Sequence, residues 1–197
     1  MKKWGKPDEV VAQRIHASQI PGVLHKNIFL EEKEIALVIR KGSVEEELEA
    51  GKHSIKDFSE IILVDTAEKI ITKRIENLPT ENGSNIEIRF AVYLPEKLAR
   101  TLMAGKALLT VDEIYSELYE QAIPKILEGS QKNQDIETFL KEEIKKTLQE
   151  WGIELLNFSI NLDPEENKAE KGNTKEYQKN KKMKPDKKEI QEKGEEN

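Results

Sequence analysis

Between Ile86 and Leu94 the apolar residues Ile86, Ile88, Phe90, Val92 and Leu94 alternate with Glu87, Arg89, Ala91 and Tyr93; after Pro95 they recur every third or fourth position. The first period is that of a half-buried strand and the second that of a helix, so the chain must change secondary structure at Pro95. Upstream, Ile28 to Leu30, Glu34 to Arg40, Val44 to Leu48, Ser59 to Val64 and Lys69 to Ile75 read as strands, with turn signals at Lys41-Gly42, Ala50-Gly51 and Asn82-Gly83. The run Ile61-Ile62-Leu63-Val64 has no polar alternation and predicts a strand buried on both faces. Downstream, Leu98, Leu102 and Met103 line a short helix begun by Pro95, and Thr110 with Glu113 has capping-box spacing ahead of Ile114, Leu118, Ala122, Ile126 and Leu127. Pro124 is expected to kink that helix or open a new segment. Asp135 caps a third helix carrying Phe139, Leu140, Ile144, Leu148 and Trp151, which Gly152 ends, and Leu156, Phe158, Ile160 and Leu162 alternate along a closing strand. The expected fold class is α+β: a twisted, mainly antiparallel sheet with helices packed on one side.

Three segments are expected. Residues 1–25 form an N-terminal segment in which Val10, Val11, Arg14 and Ile15 fit one side of a short amphipathic helix, and Trp4 beside Lys2 and Lys3 makes Trp4, Val10 and Val11 candidate membrane-contact residues. A helix packing on the domain or a frayed terminus is the preferred reading, because the helix is short and Asp8 and Glu9 oppose anionic lipid. Residues 26–162 form the domain. Residues 163–197 hold ten lysines, ten acidic residues and only four hydrophobic ones, too few to offset chain ordering at about 1–2 kcal/mol per residue, so this tail is expected to be disordered. The longest apolar runs fall far short of the roughly 20 residues that span a bilayer.

Zero cysteines exclude disulfides, thiolate metal sites and cysteine nucleophiles, and the net charge of -6 provides no overall positive field for nucleic acid. The basic N-terminus lacks an apolar stretch behind it, which predicts a cytoplasmic protein without an export signal. His16 and His25 are separated by Pro21 and Gly22, a spacing unlike that of paired metal ligands, and His53 is expected to be a turn residue bonded to backbone. Neither a phosphate-binding glycine loop nor a Gly-x-Ser-x-Gly elbow is present, and Glu45-Glu46-Glu47, Glu31-Glu32 and Glu142-Glu143 read as solvated surface. No catalytic residue, metal ligand or cofactor-binding residue is nominated.

Three stretches, in order, resemble the SPFH or band 7 domain of stomatin, prohibitin and flotillin relatives. They are Glu34 to Ile55 (EIALVIRKGSVEEELEAGKHSI), Leu78 to Leu94 (LPTENGSNIEIRFAVYL) and Phe139 to Ile160 (FLKEEIKKTLQEWGIELLNFSI). The positions that carry the likeness are Gly42, Gly51, His53, Gly83 and the Trp151-Gly152-Ile153 junction. The resemblance implies a compact α+β domain that associates with copies of itself and acts as a scaffold at membranes, not as an enzyme. Relatives typically carry an N-terminal hydrophobic or acylated anchor and a long C-terminal coiled coil, neither of which these 197 residues show. The expectation is a non-catalytic scaffold or adaptor, a weak homo-oligomer with a protein partner. Its membrane contact would be peripheral, at the inner face of the cell membrane. Phe158 and Ile160 on the closing strand are the candidate self-association residues, because an unpaired sheet edge invites a second copy. The alternative is a small acid-rich hydrolase, which would reveal itself by a cleft holding carboxylates or a histidine with displaced pKa values.

Overall fold

The computed structural model describes residues 2–4, 6–22, 25–75, 84–129 and 136–162. The sequence-expected tail at 163–197, the Asn82-Gly83 turn and the Asp135 cap lie outside the described residues. Eleven strands and three α-helices follow one another: β1 (Lys2–Lys3), β2 (Val10–His16), β3 (Lys26–Leu30), β4 (Glu34–Arg40), β5 (Ser43–Leu48), β6 (Gly51–Ile55), β7 (Glu60–Asp65), β8 (Lys69–Ile75), β9 (Ser84–Val92), α1 (Pro95–Arg100), β10 (Leu108–Thr110), α2 (Val111–Gly129), α3 (Ile136–Glu150) and β11 (Ile153–Leu162). The class is α+β, with three mostly antiparallel sheets where one was expected: β1-β3-β6, β10-β2-β7-β4-β5 and β11-β9-β8. Among the described residues the one parallel pair is β1 with β3.

The five-stranded sheet is central and apolar on both faces. In β4, Leu37 and Ile39 join the larger core while Ala36 and Val38 join the smaller one. In β7, Ile62 and Val64 face the larger core, and Ile61 and Leu63 the smaller, so the predicted two-sided burial is observed. The larger core is closed by β8, β9 and β11 together with the helices, through residues such as Ile88, Phe90, Leu118 and Leu148. On the other face Ile28, Leu30 and Ile55 of the first sheet cover β2, β4 and β7. Helix residues enter the larger core alone, which agrees with helices on one side of the central sheet.

Local signals explain most boundaries. Lys41 and Gly42 both take positive φ, 52° and 82°, the geometry of a tight hairpin turn between β4 and β5. The capping box forms as spaced: Glu113 Oε2 accepts from the Thr110 amide at 2.8 Å, and Thr110 Oγ1 accepts from the Glu113 amide at 3.3 Å. Pro95 stands in the first turn of α1.

Four expectations are corrected. Val10–His16 is a strand, not an amphipathic helix, and it lies between β7 and β10 with Val10 and Val11 buried. A strand covered on both sides shows no alternation, and its apolar positions imitate a helical face. Gly51, Lys52 and His53 belong to β6 and not to a turn, since the chain crosses there from the central sheet to pair with β3. Helix α2 continues from Val111 to Gly129, so no new segment opens at Pro124. In β11 the register shifts between Leu155 and Asn157, so Leu156 is the extra residue of a bulge and is 47% exposed, and the inward set becomes Ile153, Leu155, Phe158 and Ile160.

Candidate functional site

A concavity of about 720 Å³ is lined by the segment around Lys6, the loop at Glu31 to Glu34, the run from Asp65 to Lys73 and the start of α2. At its base the end of β7 delivers Asp65, buried, between two ammonium groups. Lys6 Nζ and Lys69 Nζ each lie 2.6 Å from Asp65 Oδ2. The other oxygen accepts from the Ala67 amide at 3.0 Å. Glu34, also buried, lies 3.7 Å from Lys6 and accepts from the Glu31 amide at 2.7 Å, while Lys69 donates to the Asp8 carbonyl at 2.7 Å. Burial alone would raise the Asp65 pKa, but the hydrogen bonds from Lys6, Lys69 and the Ala67 amide, with the Lys69 charge, outweigh it and hold the carboxyl below its usual 3.8. A carboxylate so held is a weak proton acceptor, and its geometry is that of a tie joining the N-terminal segment to β4, β7 and β8. No single stretch of sequence signals this site, because Lys6, Glu34 and Asp65 are brought together only by sheet pairing.

The histidines are apart. His16 Nδ1 is 3.6 Å from Glu60, which also pairs with Arg14. His25 Nδ1 is 3.4 Å from Ser54 Oγ at the surface, and His53 Nε2 is 2.7 Å from the Glu49 carbonyl, the backbone bond expected of it. Among the described residues no three His, Asp or Glu side chains converge as a metal site would require.

The nominated contact residues divide differently from the sequence expectation. Trp4 is buried in the smaller core, its indole Nε1 donating to Gln13 Oε1 at 2.7 Å while Lys6 Nζ sits 4.8 Å from its ring. Trp4, Val10 and Val11 therefore face protein, and none is placed for membrane contact. Phe158 is buried in the larger core and Ile160 packs against it, so neither projects toward a second copy. Among the family-motif positions, Gly42 makes the β4–β5 turn, Gly51 and His53 lie in β6, and Gly83 lies outside the described residues. Trp151 is buried in the larger core. Gly152 takes φ +79° against the 94–97 segment, and its carbonyl accepts from the Tyr93 and Leu94 amides at 3.1 and 3.0 Å.

The closing strand is nevertheless an edge. Among the described residues β11 pairs with β9 alone, over nine registered positions from Ile153 opposite Val92 to Leu162 opposite Ser84. In ten residues it carries one charge, Glu154, and no lysine or proline, whereas the edge strand β5 carries Glu45, Glu46 and Glu47. Charges are the usual protection of an edge, and β11 has little beyond its bulge. No helix among the described residues is long and apolar enough to cross a membrane. The chain matches no protein-family model and no curated protein.

Proposed function

We propose that this chain is a non-catalytic scaffold or adaptor module of SPFH-like type that associates weakly with a second copy through β11 and presents the rest of its surface to a protein partner. The observation that carries this reading is that, among the described residues, the nearly uncharged β11 pairs with β9 alone, so its other edge gains partners if another β11 lies beside it. The order of the β4–β5 hairpin, the strand β9 leading into a proline-led helix, and the α3–Trp151-Gly152–β11 closure supports the family resemblance. Trp4, Val10 and Val11 are buried, so peripheral membrane attachment would use side chains other than these three.

Sedimentation velocity across a concentration series tests the reading, with wild type compared to Ser159→Lys. Ser159 lies opposite Glu87 on β9, so a lysine there meets a carboxylate within the fold while adding charge to the edge. Concentration-dependent dimers that Ser159→Lys removes are expected; a single monomeric species up to high micromolar concentration overturns the self-association reading.

A further inference from the structure

The sheet that ends in β11 has a second edge of different character. Among the described residues β8 pairs with β9 alone, and no backbone group from Ile70 to Lys73 bonds outside that ladder. Part of this edge borders the 720 Å³ cleft: the consecutive residues Ala67 to Lys73 line it together with Lys6, the Glu31–Glu34 loop and the first residues of α2. A cleft of that volume has room for a short extended segment. Five residues of β8, Lys69 to Lys73, line the cleft and present about 16 Å of edge at roughly 3.3 Å per residue, a length that a six-residue peptide covers. Ile70, 47% exposed on β8, supplies an apolar contact within the same cleft.

Charge selects the occupant. Lys6 and Lys69 are matched by Asp65 and Glu34, and Lys73 lies 3.0 Å from Asp112. The rim then keeps Asp8, Glu9, Glu32 and Glu68 against Lys33, with Glu68 also facing Arg89 at 3.4 Å. We propose that the β8 edge is a docking site for an extended, lysine- or arginine-bearing segment of another protein, which joins the sheet as an added strand while its basic side chains meet this acidic rim. Main-chain pairing supplies the affinity and the rim supplies the selection. This rests on the partner-binding half of the proposed function and is independent of self-association through β11, so Ser159→Lys should leave it intact.

The test uses the full chain and a fluorescent six-residue peptide alternating lysine and valine, read by anisotropy. Two versions of that peptide carry N-methyl groups on alternate amides, one in each register, and a fourth peptide alternates glutamate and valine. Micromolar binding is expected for the parent, weakened about tenfold or more in the glutamate peptide and in one N-methyl register but not the other, since only alternate amides face the sheet. The doubly substituted Glu32→Lys, Glu68→Lys protein, changed only at exposed positions, should lose about tenfold as well. Amide shifts in a nitrogen-15 spectrum should concentrate in residues 69–75. Equal binding of the parent and both N-methylated peptides would reduce the site to nonspecific attraction of a polycation and overturn the proposal. So would shifts centred elsewhere, or no binding at high micromolar concentration.

Discussion

Asp65 concentrates two opposing forces in one side chain. Desolvation disfavours its charge, and two ammonium groups with one amide favour it more strongly, so its folded pKa lies below the unfolded value near 3.8. A carboxyl depressed in this way contributes stability that is complete above the unfolded pKa and is lost as pH falls through the folded one. Urea unfolding midpoints should therefore decline as pH is lowered from about 5 to about 2, and Asp65→Asn should flatten that limb. At neutral pH the same substitution should cost about 3–5 kcal/mol, because it leaves two lysines facing a neutral group. Gly152 is the second decisive residue. A Cβ added there would lie 2.5 Å from the Leu94 carbonyl oxygen, in a backbone conformation that side chains rarely adopt. Gly152→Ala should lose about 2 kcal/mol or more, read from urea titration. Its neighbour Trp151, buried against the larger core, should cost about 3–5 kcal/mol on truncation to Ala, and a loss below about 1 kcal/mol would contradict its burial. The Trp151-Gly152 junction was legible because helix ends have local rules. The Lys6–Asp65–Lys69 tie was not, since a lysine in a charged sequence carries no mark of the distant carboxylate it will meet.

At the scale of elements, one bulged residue changes which side chains an edge displays. Alternation read from Leu156 onward places Leu156, Phe158 and Ile160 on one face, but the register shift leaves Leu156 outside and keeps Phe158 and Ile160 inside. Phe158→Lys should consequently unfold the protein in a circular dichroism melt instead of merely separating copies, whereas Ser159→Lys should keep its melting temperature within a few degrees of wild type. An unchanged melt for Phe158→Lys would contradict its place in the core. Bulges leave no mark in composition, so the register change was hidden although the strand's bounds, Ile153 to Leu162, were not. The reverse holds for β2. Val10, Val11 and Ile15 suit a helical face as well as a strand covered on both sides, and only the arrival of β7 and β10 decides between them. In β4, by contrast, a seven-residue run bounded by the Lys41-Gly42 turn left no competing reading.

For the molecule as a whole, the central sheet is the shared wall of two cores, and β7 supplies both through alternate residues. Ile62→Ala and Leu63→Ala remove side chains from opposite cores, yet both should lower a single calorimetric transition, by about 2–5 kcal/mol each. Two separated transitions would show that the cores melt independently. Truncation after Leu162 should leave the melting temperature nearly unchanged, on the compositional ground that the last 35 residues contain only four hydrophobic side chains. The placement of β2 also has a consequence for synthesis. It leaves the ribosome well ahead of its neighbours β7 and β10, which begin only at Glu60 and Leu108. At about 5–20 residues per second, the stretch from β2 to β10 takes on the order of 5–20 s to emerge. Until β10 emerges the nascent chain carries Val10, Val11 and Ile15 on an incompletely paired strand, so residues that are buried in the finished protein are, during its making, open to chaperones and to premature encounters with other chains.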